Sequence, residues 1–329
     1  MTRILVNSRM SILIALFSTA LPGQVPQQVR VSIDRIIGGQ GTYFSDDQVY
    51  KVVVPREEAT IVYDWQTLSP NLGLNSWAAF KSGIDGEAIL TGQLLLLDDE
   101  VDSVISAALE ARLEVTGLAT SSVFDGPHLS TLDVMANGTF EELAAGFRKC
   151  LDRIQQVRRA RGRPQATAPV APIDSSIDPA PLDAVLSIKG IVIGGTYRAA
   201  IGANAVLWGE QVGREMGMST WVSIAGTHDR AVAHGEFIAS TDDLQRVLKA
   251  LRLKGISITS IRNHTVGEHP QFVFVHFRGE GAALDLARDV KYALDAQAGK
   301  EPSLSIGQGP ARRSPTGVEG PTRFFQGSR

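Results

Sequence analysis

Five of the six histidines in this chain fall between His228 and His276, and within that stretch His264, Glu268 and His276 are residue types that bind metals or move protons. Two imidazoles and a carboxylate converging on one surface match a zinc or iron site with three protein ligands and an open position. The same groups could instead act as acid, base and orienting partner in a proton transfer, the chemistry of a hydrolase or isomerase. Arg262, two residues before His264, cannot ligate a metal because a guanidinium offers no lone pair. Its paired N–H donors suit a carboxylate or phosphate instead. The spacing matches no short metal motif, so the ligand stays open between a divalent metal such as zinc and a small anion held by Arg262, Asn263, His264, Glu268 and His276. A third reading is a structural or partner-binding chain whose histidines are incidental. A serine nucleophile elbow, a zincin helix and paired redox cysteines are missing.

Positioning these groups requires particular elements. Residues 256–261, rich in β-branched side chains, predict a strand ending just before His264, and residues 272–277 predict the next, with a break at Gly267 and Pro270. Period-two alternation places His276 on the face of Phe272, Phe274 and Arg278, with Val273, Val275 and Phe277 opposite. One face must cover helices and the other is expected to be free for a ligand. Upstream, residues 221–225 and 231–239 predict two strands joined at a turn over 226–229. His234 and Glu236 lie on the second of these, flanking Gly235. They read as a solvent-facing pair on an edge strand. If that strand instead neighbours the hairpin they extend the site, with His234 as a further metal ligand. Asp242 or Asp243 caps a helix with Leu244, Val247, Leu248 and Leu251 at helical spacing, ending at Gly255. A closing helix runs over 282–296.

The same order occurs twice. With Trp77 set against Trp221 and one residue deleted, Leu113 to Asp152 lies on Ile256 to Asp295 without a further gap. Thr116 meets Thr259, Val123 meets Val266, Pro127 meets Pro270 and Gly138 meets Gly281. At the polar positions the copies part: Ser121, Asp125 and Asp133 stand where the second has His264, Glu268 and His276. The first copy, residues 30–156, therefore reads as a degenerate repeat that is structural or shapes a shared cleft. The second, 181–297, carries the chemistry. Preceding segments over 33–54 and 182–201 are also alike, Tyr50-Lys51-Val52 resembling Tyr197-Arg198-Ala199. Their glycines make no dinucleotide or phosphate-loop pattern.

Strand, strand, helix, strand, strand, helix, repeated, predicts an α+β fold of two tandem two-layer units, each an antiparallel sheet with helices on one face. The two units could pack as an internal pseudo-dimer. A length of 329 residues accommodates two such cores, and a net charge of −3 asks for neither nucleic acid nor an anionic membrane. Arg3 and Arg9, the apolar run Met10 to Leu21 and Ser18-Thr19-Ala20 predict a signal peptide over 1–24 and a secreted or periplasmic protein, with no stable membrane span after processing. Cys150 is the sole cysteine, so no intramolecular disulfide forms, and its place on a helical pattern marks a buried inert thiol. Residues 157–180, opening on an arginine run and continuing through Ala, Pro and Ser, read as a linker after a solvated helix end; 298–329 read as a disordered tail.

The segment Leu72-Gly73-Leu74-Asn75-Ser76-Trp77-Ala78-Ala79-Phe80, with Asn263-His264, Glu268, Pro270 and Phe274-Val275-His276, resembles the LppY/LpqO-type family of bacterial secreted proteins. That family is defined by a domain of unknown function, often duplicated. The resemblance spans about residues 30–155 and 180–297. It implies export and a site at Asn263, His264, Glu268 and His276, without an agreed activity. Where the family pattern has a first histidine, this chain has Arg262, which reduces the implied ligand set.

Overall fold

A computed structural model describes residues 23–56, 62–63, 66–67, 72–120, 128–162 and 175–300. Most of the expected signal peptide, the middle of the linker and the tail beyond 300 lie outside them, as do Ser121, Val123, Asp125 and Pro127. The first repeat runs α1 (Gln27–Ile37), β1 (Thr42–Phe44), β2 (Val49–Pro55), the small strands β3 (Val62–Tyr63) and β4 (Gln66–Thr67), then β5 (Asn75–Ser82), β6 (Ala88–Leu97), α2 (Val101–Glu110), β7 (Glu114–Thr120), β8 (Leu129–Gly138) and α3 (Phe140–Arg161). The second runs α4 (Pro179–Leu186), β9 (Ile191–Ile193), β10 (Thr196–Gly202), β11 (Ala205–Leu207), β12 (Glu210–Val212), β13 (Ser219–Gly226), β14 (Ala231–Ala239), α5 (Thr241–Leu253), β15 (Ser257–Arg262), β16 (Val273–Gly281) and α6 (Ala283–Gln297).

The predicted α+β architecture of tandem antiparallel units is what forms, enlarged in front of each unit by one helix, one hairpin that joins the sheet and one small separate hairpin. Both sheets have six strands, ordered β1-β2-β5-β6-β8-β7 and, with identical connectivity, β9-β10-β13-β14-β16-β15. The match extends to an irregularity. Thr116 and Thr259, aligned in the sequence, are each the extra residue of a bulge in the sheet's edge strand. In each repeat a tyrosine hydroxyl from the second strand donates to an aspartate on the leading helix, Tyr50 to Asp34 at 2.5 Å and Tyr197 to Asp183 at 2.9 Å.

Local sequence accounts for the helices. Thr139 and Glu142 close a reciprocal capping box on α3, and Ser240 caps α5 by accepting from the Asp243 amide. Alternation along the strands then sends one set of side chains under the helices. Tyr50, Phe80, Leu90, Leu94 and Val134 pack with Ile33, Val104 and Phe147 in the first repeat. Tyr197, Ile224, Phe237, Val275 and Phe277 pack with Leu182, Val247, Leu251 and Leu286 in the second. Burying each such chain stabilises by about 1.5–3 kcal/mol. Cys150 is fully buried in the first core, and burial pushes its thiol up to about 12, so it stays protonated. α3 continues through Arg161, past the expected start of the linker, because Arg158 is anchored by Asp99 and Glu100.

The face opposite the helices is not free. A third core joins Val49, Ala79, Ile89 and Met135 of the first repeat to Met216, Met218, Ile238 and Phe274 of the second. The sheets therefore pack on each other through the faces that helices leave bare, as a pseudo-dimer. Reciprocal contacts mark its approximate two-fold relation. Trp221 lies against Gly73 and Trp77 against Gly217, and both glycines have left-handed backbones, at φ +95° and +93°. A Cβ on either would come within 2.7 Å or 3.0 Å of the opposing indole, so only glycine fits. Among the described residues, no helix is long and apolar enough to cross a membrane.

Candidate metal centre at the repeat interface

The inward row of the second sheet carries the titratable groups. Strand β14 lies between β13 and β16, so it is central, and Glu236 sits directly opposite His276 on one side and Trp221 on the other. The edge-strand reading of His234 and Glu236 is thereby corrected: both are buried, at 8% and 2% exposure. His264, two residues beyond β15, is pressed against Phe274 with ring centroids 4.2 Å apart, and its ring runs parallel to that of His276 at 6.0 Å. The result is a buried trio. One ligand atom from each of Glu236, His264 and His276 lies within 4.8 Å of the others.

The carboxylate in this trio is Glu236, not Glu268. Residues 263–272 form a loop rather than a tight hairpin turn, tied to β11 through backbone bonds between His269 and Val206. That loop carries Glu268 to a different task, accepting from the Phe272 amide at 3.2 Å as the chain enters β16. Asn263 is exposed, and its backbone carbonyl lies against Gly117 of the first repeat. His234 stands one inward row away from His276, at a centroid separation of 6.3 Å, and is outside the trio. Its Nδ1 meets the Leu72 carbonyl at 3.0 Å; a carbonyl only accepts, so the proton is on Nδ1. Burial, with His276 acting in the same direction, lowers His234 to about 3, so the ring is neutral.

Glu236 Oε2 lies 2.8 Å from His264 Nε2 and also against His276 Nε2, while Oε1 accepts from the Trp221 indole at 3.3 Å. Burial alone would raise the Glu236 carboxyl. The imidazoles of His264 and His276 outweigh it and hold the group well below the usual carboxylate range. His276 is shifted down, first by burial and then by Arg262 and His264, against the pull of Glu236.

Arg262 is the fourth member. One guanidinium nitrogen pairs with Asp133 of the first repeat, whose other carboxylate oxygen accepts from Gln93 at 2.9 Å. Another lies 2.9 Å from His276 Nε2 and 3.3 Å from His264 Nε2. The centre is thus composite, closed on one side by residues of the degenerate repeat. Thr116, the bulge residue of β7, adds a bond to the His264 carbonyl at 2.5 Å. Gln93 and Glu236 occupy corresponding places, as do Asp133 and His276. Extending the duplication alignment one strand upstream would have exposed Glu236 as a polar position that changes between copies. Gln93 had no signal of its own.

A proton count identifies the tension in this centre. His276 Nε2 lies within hydrogen-bond reach of both the Arg262 guanidinium and Glu236 Oε2. One nitrogen cannot both donate to the carboxylate and accept from the guanidinium. In either tautomer one of the two contacts is mismatched, and His264 Nε2 adjoins both Arg262 and Glu236. The three ligand atoms are close enough together to hold one cation.

Fold and centre together define a duplicated α+β pseudo-dimer with one buried, asymmetric polar site. The chain belongs to the family described as Domain of Unknown Function (DUF1259), whose model matches residues 31–153 and 180–296, once per repeat. No curated protein sequence matches it. Among solved structures it is similar to a trimeric bacterial microcompartment shell protein, PduB, at 9% identity over 78% of this chain and 89% of that one, with a TM-score of 0.20. EtuB from Clostridium kluyveri is similar at 10% identity, 79% and 90% coverage and the same TM-score of 0.20. Likeness that slight carries no functional argument.

Proposed function

We propose that this is an exported divalent-metal-binding protein, with the ion held by Glu236, His264 and His276 between the two repeats. The carrying observation is the convergence of three ligand atoms in a buried space, where His276 Nε2 cannot satisfy both the Glu236 carboxylate and the Arg262 guanidinium. Imidazole nitrogens and a carboxylate oxygen suit zinc and neighbouring transition metals. Three protein ligands leave one coordination position for water or another small ligand. Arg262 would release the imidazoles on metal binding and keep its pair with Asp133. Glu268 is not part of this ligand set. The resemblance to the LppY/LpqO-type proteins and the charged, apolar and small-residue sequence of the N-terminus support the exported location.

Metal analysis of untagged protein purified without chelator tests this reading. About one equivalent of a divalent ion is expected in the wild type, and background in a His264→Ala, His276→Ala double variant. Equal metal content in the two would defeat it. Mass measurement of the protein recovered from the cell envelope tests the location, with cleavage expected near Ala20.

One observation favours a second reading, in which the Arg262 guanidinium itself serves as the cation and the centre is only an interface lock. In that case wild-type protein holds no metal and Arg262→Met destabilises it. If the metal reading holds, Arg262→Met tightens metal binding, because a competing positive charge has gone.

A further inference from the structure

We infer that the protein has a second ligand site, for a small oxyanion such as phosphate or a carboxylate, built at the repeat interface from Lys51, Arg198, Trp77 and Trp221. This site adjoins the metal centre, because the Trp221 indole donates to Glu236, but it does not depend on that reading. Lys51 and Arg198 occupy corresponding positions of the two sheets, on β2 and β10. Each lies over the tryptophan of its own repeat, Lys51 Nζ at 4.5 Å from the Trp77 ring and Arg198 at 5.0 Å from the Trp221 ring. Each tryptophan in turn rests on a glycine of the opposite repeat, which draws both cations toward the interface.

The charges there do not balance. The helical turn Arg214–Met216 touches both β2 and β10 and presents Glu215 to them. One Glu215 oxygen is taken by Arg214 at 2.9 Å, and the other lies 3.7 Å from Lys51 Nζ, beyond a good hydrogen bond. The nearby Asp47 carboxylate accepts from the Glu215 amide. Glu236 also attracts Arg198, but its carboxylate is engaged by Trp221 and the two imidazoles. Three cations therefore share Glu215, the Asp47 and Glu236 carboxylates being otherwise engaged, and Arg198 makes no ion pair among the described residues. Burial, together with Arg198 and Arg214, lowers the Lys51 ammonium to about 8 in spite of Glu215. Poorly solvated like charges that act on one another are costly, and an anion taken up by both removes the cost. A guanidinium and an ammonium together provide several N–H donors of the kind that phosphate and carboxylate oxygens accept. The four side chains are partly exposed, so a ligand from solvent reaches them.

Isothermal titration calorimetry on metal-depleted protein, dialysed free of chelator, tests the site with inorganic phosphate, acetate and chloride as separate titrants. Saturable binding of one or both oxyanions is expected, with chloride much weaker. The phosphate and acetate arms show which oxyanion is preferred. Lys51→Met and Arg198→Met should each weaken binding roughly tenfold to a hundredfold. Glu215→Gln should strengthen it by removing the competing carboxylate, which keeps the test decisive if a methionine variant fails to fold. Absence of saturable heat with both oxyanions overturns the inference. So does unchanged affinity in a folded Arg198→Met protein, or affinity in Glu215→Gln that does not rise.

Discussion

The two repeats share a topology strand for strand and differ on one surface. Across the inward face of the first sheet run Lys51, Ala79, Thr91 and Met135, and beside them Trp77, Gln93 and Asp133. The corresponding rows of the second sheet hold Arg198, Ser223, His234 and Arg278, then Trp221, Glu236 and His276. The helix-facing rows are apolar in both. Packing against helices constrains volume and polarity alike, so duplication leaves that surface recognisable. The inward surfaces meet each other, and there a charged group in one repeat needs only a partner in the other. Asp133 is no failed histidine. It supplies the carboxylate that Arg262 requires.

That asymmetry can be broken deliberately. The largest effect should come from paired substitutions at corresponding places. Glu236→Gln is expected to weaken metal binding by at least about a hundredfold, while Gln93→Leu leaves it within a few-fold, read by competition with a chromophoric chelator. Equal losses would mean that the repeats contribute alike. Next, Asp133→Ala strands a buried guanidinium and should lower unfolding free energy by about 3–5 kcal/mol, measured by urea titration. Replacing Asp133 and Arg262 together by leucine and methionine should recover most of that loss. A cost no larger than 1 kcal/mol for the single variant, roughly the worth of an exposed pair, would show that the pair is dispensable.

Gly73→Ala and Gly217→Ala probe the symmetry itself. Each forces a left-handed alanine against an indole, and each should cost about 2–4 kcal/mol. Similar melting shifts are expected; a large disparity would refute the two-fold relation of the tryptophan contacts. The smallest effect concerns pH. His234 is neutral in the folded protein down to about pH 3, whereas the unfolded chain takes up its proton near the ordinary value of 6.5. The unfolded state therefore binds more protons in that window, and stability falls as pH drops through it, by at most about 1.4 kcal/mol per pH unit from this one group. His276, shifted the same way, adds to the slope. Substituting His234 by glutamine should flatten the acid limb of the melting curve, and an unchanged limb would contradict the assignment.

The order of strands and helices was legible in the chain because their signals are local. Period-two alternation placed His276 with Phe274 and Arg278 and opposite Val275 and Phe277, as in the structure. Spacing through Val247 and Leu251 did the same for α5, although its cap is Ser240 and not the expected Asp242 or Asp243, which lie in the first turn. The identity of Thr116 with Thr259 marked the duplication, while the bulge that both occupy came only with the structure. The leading helices α1 and α4 and their hairpins were visible only as similar segments, since each is short and weakly patterned.

What the chain alone determined, then, is which side chains share a face, because that follows from backbone geometry over neighbouring residues. Tertiary structure decided which of those faces meet. Only the pairing of β14 with β16 sets Glu236 opposite His276, and only the long loop over 263–272 carries Glu268 away from them. Only the docking of one sheet on the other turns an inward face that alternation alone would leave open to a ligand into a buried seam shared with Asp133, Gln93 and Leu72. Strand order and sheet docking are long-range choices, set by how whole apolar surfaces are covered, and no local spacing encodes them.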